Sequence, residues 1–83
     1  MTILRMYKPT KHFTGVLEEL NRKTSDEFGN PRYEVVIKKD DGTLWKGVTE
    51  KSAAFAYGIG NLLGKPVQIS YKNVRTVSNC RGL

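Results

Sequence analysis

The sequence predicts a mainly β domain with one short helix, its elements running strand, strand, strand, helix, strand, strand. Three observations predict it: a hairpin in the middle of the chain, a glycine-interrupted helical face behind it, and a second pair of alternating segments near the end.

Residues 1–10 read as an irregular lead-in closed by Pro9. Residues 11–24 fit two templates. Phe13, Val16, Leu17 and Leu20 recur at helical spacing, and Glu18 and Glu19 suit a helix. Gly15 sits in the middle, however, and His12, Thr14 and Val16 allow a strand bent at that glycine. The strand is preferred because the later elements need a partner to close a core. The helical reading would make the domain α+β instead.

Phe28, Gly29, Asn30 and Pro31 are turn chemistry, since Gly and Asn tolerate left-handed backbone. Tyr33, Val35 and Ile37 then alternate with Arg32, Glu34 and Lys38, with Val36 as the exception. Asp41 and Gly42 turn the chain, and residues 43–49 return. Residues 52–57 are rich in helix formers, and Phe55, Ile59, Leu62 and Leu63 share a helical face. Gly58 and Gly60 weaken that helix, and Gly64 with Pro66 ends it. Residues 66–71 alternate, Lys72 and Asn73 turn, and residues 74–78 form the last strand. Residues 80–83 read as a frayed tail.

Eighty-three residues make one domain spanning 1–83, near the lower limit for an unstapled core. Cys80 is the single cysteine, so no disulfide forms within the chain, and with His12 as the only histidine no zinc site is expected. No apolar stretch approaches the roughly 20 residues that span a bilayer. Residues 1–8 lack the features of a signal peptide, so a cytoplasmic protein is expected.

The net charge is +6, and its distribution says more than its size. Residues 1–17 carry Arg5, Lys8 and Lys11 and no acid. Residues 51–83 carry Lys51, Lys65, Lys72, Arg75 and Arg81, again with no acid. All eight carboxylates lie between Glu18 and Glu50, beside six bases, leaving the middle at −2 against +8 for the two ends. Ends that meet in the fold would make a surface that concentrates anions.

The element order over residues 11–79, with its helix between the third and fourth strands, resembles the OB-fold, a small five-stranded barrel. Two strings, Gly29-Asn30-Pro31-Arg32-Tyr33 and Ala56-Tyr57-Gly58-Ile59-Gly60-Asn61, also look like segments of short phage and mobile-element proteins. The barrel resemblance implies binding of single-stranded nucleic acid or oligosaccharide through strands two and three and their flanking loops.

Such a platform needs rings for bases and cations for phosphates. Arg32, Lys38, Trp45, Lys46, Lys72 and Arg75 are the candidates, with Phe28 as a loop aromatic. Turn length decides where Trp45 points. A two-residue turn at Asp41 and Gly42 puts Trp45 outside beside Lys38. A three-residue turn from Asp40 to Gly42 faces it toward Ile37 in the core. Tyr33 and Tyr71 read as core edges. The glycines of residues 58–64 lie inside or after a helix and lack the Lys-Ser/Thr pair of a phosphate loop.

No catalytic constellation is expected. His12 is isolated, Asp40 and Asp41 serve the turn, Asp26 and Glu27 lie in a loop, and Cys80 sits in the expected tail. The expected function is therefore non-enzymatic binding of nucleic acid, without cofactor, metal or membrane. The alternative is a small phage or mobile-element accessory protein that binds or inhibits an acidic host protein.

Overall fold

Five strands close a barrel in the spatial order β1-β2-β3-β5-β4: β1 (Lys11–Arg22), β2 (Tyr33–Lys39), β3 (Leu44–Thr49), β4 (Pro66–Lys72) and β5 (Thr76–Gly82). The structure, a computed structural model, describes residues 10–23, 25, 29–51, 53–72 and 75–83. This architecture is consistent with the OB-like reading of the element order. The lead-in, apart from Thr10, lies outside the described residues.

β1 forms a strand, not the alternative helix, because both of its ends find antiparallel partners. Residues 11–16 pair with β4, and residues 15–22 pair with β2. A strand shared between two neighbours has to bend, and Gly15 lies where the two pairings overlap. A Cβ there would stand 2.5 Å from the Lys38 carbonyl oxygen and 2.7 Å from Ile37 Cγ2. A register shift between Leu17 and Glu19 completes the bend. Glu18 and Glu19 both reach solvent there, which satisfies the two acids without a helix.

β2 and β3 form the expected hairpin, and β4 and β5 a second one. The barrel closes where β3 and β5 run parallel, through Val48 opposite Thr76 and Thr49 opposite Val77. The Val48 N–H donates to the Arg75 carbonyl at 2.9 Å and the Glu50 N–H to the Val77 carbonyl at 3.0 Å across this seam, while buried Thr49 ties β3 to β2, its hydroxyl accepting from the Tyr33 N–H at 3.0 Å. Inside lie Leu17, Val35, Ile37, Val67, Ile69, Val77 and Cys80, with Ile59 from the connection between β3 and β4.

That connection is not a continuous helix. Two single 3-10 turns, Ala54–Tyr57 and Ile59–Leu62, are separated at Gly58. Ala53, Ala56 and Ile59 are buried, while Gly64, at φ +80°, ends the segment. Hydrogen bonds from the Gly64 N–H to the Leu17 carbonyl and from the Leu17 N–H to the Lys65 carbonyl tie it to β1.

The expected tail is a correction. β5 runs to Gly82, and Cys80 is a core residue 5% exposed and opposite Ile69. The reason is a bulge between Ser70 and Tyr71 in the β4–β5 pairing. It lets Val77 and Cys80, three residues apart, both face inward, which strict alternation forbids.

Gly15→Ala is expected to destabilise the fold by about 1–3 kcal/mol, because the added methyl meets a backbone carbonyl inside the barrel. Gly58→Ala meets nothing within 4 Å and is expected to stay within about 0.5 kcal/mol of the parent. Urea midpoints of the two variants check both values.

Candidate functional site

The β2–β3 turn has three residues. Gly42 N–H donates to the Lys39 carbonyl at 2.9 Å, Lys39 N–H donates to the Thr43 carbonyl at 2.8 Å, and Gly42 takes φ +88°. Asp41 accepts from the Thr43 N–H and hydroxyl at 2.9 and 2.6 Å. These bonds hold its carboxyl below the ordinary range. Trp45 consequently stands opposite Ile37 and packs against the core.

Gly47 makes room for it. A Cβ on Gly47 would overlap the Cη2 and Cζ3 atoms of the indole, so the ring lies over bare backbone. Phe13 meets Trp45 edge-on, with centroids 5.0 Å apart and planes at 65°. Tyr71 joins them at 5.7 Å from Phe13 and 5.2 Å from Trp45. The three half-buried rings come from the start of β1, the start of β3 and the end of β4, so they gather at one mouth of the barrel. Lys39 Nζ lies 5.3 Å from the Phe13 centroid.

The outer face expected under a two-residue turn therefore does not form. Lys38 stands opposite Leu44, and Trp45 is on the other side of the sheet. By alternation, the positions of β2 and β3 on the face away from the core are Glu34, Val36, Lys38, Leu44, Lys46 and Val48, of which Val36 is nonetheless buried. None is a phenylalanine, tyrosine or tryptophan.

The predicted cations separate into two kinds. Lys38, Lys46 and Lys72 are exposed. Half-buried Arg32 and exposed Arg75 also brace the backbone. Arg32 Nε donates to the Thr49 carbonyl at 3.2 Å, and Arg75 Nη1 donates to the Lys46 carbonyl at 3.0 Å. Phe28 lies outside the described residues.

The described parts of the two acid-free ends meet, while Arg5 and Lys8 lie outside the described residues. The first half of β1 pairs with β4, which pairs with β5, making one antiparallel sheet. Its outward side carries His12, Thr14, Gln68, Ser70, Lys72, Asn79 and Arg81. His12 Nδ1 lies 2.8 Å from Ser70 Oγ, and Arg81 Nε donates to Gln68 Oε1 at 2.7 Å. A carboxylate enters at the hairpin edge, where Thr14 Oγ1 donates to Asp40 Oδ2 at 2.8 Å.

Sequence reasoning missed Phe13, Lys39 and Arg81. The signal for Phe13 was its in-phase spacing with Gly15 and Leu17 along a strand. Lys39 and Arg81 depended on turn length and on the bulge. Among the described residues no cluster of three His, Cys, Asp or Glu is arranged to hold a metal. No helix among them is long and apolar enough to cross a membrane.

No family model, curated protein or solved structure matches this chain. Its topology and side chains carry the functional reading, and the likeness of residues 29–33 and 56–61 to mobile-element proteins gains no support.

Burial pushes the Cys80 thiol up from 9.0 to about 11. The unfolded thiol ionises first, so its contribution to stability is full below about pH 9 and is lost as pH rises toward 11. A thiol reagent at mildly alkaline pH should leave native Cys80 unmodified and label it fully in denaturant. Cys80→Ala should remove part of the alkaline fall in urea midpoint.

Proposed function

We propose that this domain is a non-enzymatic module that binds single-stranded nucleic acid. The observation that carries this reading is the convergence of the acid-free ends in one sheet, β1–β4–β5, beside the mouth where three rings gather.

A polyanion gains free energy by releasing counterions to cations, and loses it where carboxylates interrupt them. The β1–β4–β5 face presents Lys72, Arg81 and His12 without an acid from its own segments. The opposite side is mixed. There Glu34 accepts from Asn21, and Glu18 and Glu19 flank the bulge of β1. The acid-free side is the favourable path for phosphates.

Rings recessed at a barrel mouth can be reached by an unpaired base and not by bases stacked within a duplex. That favours single strands. An acidic protein would answer the same charge but would leave the rings without a part, so nucleic acid is the reading that uses both features.

Anisotropy of labelled single-stranded oligonucleotides is the direct measurement. Binding is expected at low salt and should weaken steeply as salt rises, with a slope of about −0.7 per neutralised phosphate. The double variant Lys72→Ala, Arg81→Ala should flatten that slope by about one to two such contacts. A protein that leaves the anisotropy unchanged at low salt is not a nucleic-acid binder.

A further inference from the structure

The cavity beside Phe13 has a composition that a general phosphate-binding surface does not need. It is an open depression of about 350 Å³, lined by Phe13, Thr14, Lys39, Asp40 and Asp41. Ligand pockets run from roughly 300 to 1,000 Å³, so this one suits a single small planar group. We infer that it seats one base of the bound strand, and that Asp40 selects bases bearing an exocyclic amino group. This inference rests on the single-strand reading proposed above.

The argument begins with exclusion. No outward position of the five strands carries a Phe, Tyr or Trp. Tyr57 is exposed on the first 3-10 turn, its hydroxyl donating to Asn30 Oδ1 at 2.5 Å, but that turn follows the end of β3, away from the mouth, whose Trp45 lies at the start of β3. Tyr33 already stacks with the Arg22 guanidinium at 5.7 Å. Stacking by the mouth triad therefore falls to Phe13, the one ring of the three that lines the cavity.

Phe13 is held in place. Trp45 and Tyr71 meet it edge-to-face from within, which fixes the ring before any ligand arrives. Lys39 lies over it in the free protein. Its flexible stem can yield the ring face to a base and place the ammonium on the adjoining phosphate.

Asp40 then faces the edge of a seated base. One carboxylate oxygen is oriented by Thr14, and an ionised carboxylate only accepts hydrogen bonds, with about four lone-pair sites. Cytosine, adenine and guanine present amino donors to such an acceptor. Thymine and uracil present two carbonyls around a single N–H, and a carboxylate repels those oxygens. Asp41, kept ionised by Thr43, reinforces the discrimination. The two acids also keep phosphates away, so the sugar-phosphate chain stays on the side of Lys39, Lys11 and Lys72.

The test is competition at fixed salt between oligo(dC) and oligo(dT) of equal length, followed by Trp45 emission and by anisotropy. Oligo(dC) is expected to bind about fivefold or more tightly and to change the Trp45 emission through Phe13. Asp40→Asn, which offers a donor as well as an acceptor, should erase the preference. Phe13→Leu should weaken oligo(dC) more than oligo(dT), and its far-ultraviolet spectrum reports whether the barrel remains. Equal binding of the two oligomers by the parent protein, or a preference that survives Asp40→Asn, overturns the inference. Salt-sensitive binding without base preference would leave the general function standing and sink only the base seat; no binding to either oligomer would remove both.

Discussion

The loop of Asp40, Asp41 and Gly42 controls what the open end of the barrel can offer. Three residues, rather than two, place Trp45 opposite Ile37, and side chains alternate faces along the unbulged β2–β3 pairing. The indole then has to find space inside a narrow barrel. Gly47 supplies it by having no side chain beneath the ring, and Phe13 and Tyr71 complete the enclosure. Turn, glycine and rings form one dependent set. A side chain at position 47 or a shorter turn would disturb the same cluster by different routes.

β1 links this end of the molecule to the rest. Its first half brings Phe13 to the mouth and His12 to the β4 side, while its second half seats Leu17 and Leu20 against the core. Gly15 at the junction allows the close approach to β2 that the bend requires. One strand therefore sets both the packing of the core and the position of the ring that lines the cavity. On the proposed function, binding and stability are coupled at Phe13, so changes there have to be read against the fold.

Much of the architecture was legible because its signals are local. The Asp41-Gly42 turn, the alternation of residues 33–37 and 66–71, and the stop at Gly64 depend on neighbours in sequence. β1 was harder, because Phe13, Val16, Leu17 and Leu20 satisfy a helical period as well as a bulged strand, and only its pairing with both β2 and β4 decides. Cys80 was misplaced for a related reason: the bulge opposite Ser70 and Tyr71 shifts the alternation by one. The candidate site was less legible still. Lys38, Lys46 and Lys72 are exposed as a cation usually is, whereas Arg32 and Arg75 are drawn to backbone carbonyls that no sequence pattern announces. The acid-free ends were visible at once, but their meeting depends on the pairing of β1 with β4, which no local signal announces.

Charge and rings end up on adjoining surfaces, and under the proposed function their duties differ. Cations spread over a sheet act at long range and do not discriminate among sequences. Rings at a mouth act only on contact and need an unpaired base. The carboxylates fit this division, because among the described residues Asp40 is the acid that reaches into the β1–β4–β5 side, and it does so at the cavity. Were the basic face merely a device for solubility, an acid at its border would be neutral in effect. Under the proposed base seat, the same acid beside a fixed ring becomes a source of selectivity, since a carboxylate tolerates donors and repels both phosphates and carbonyls.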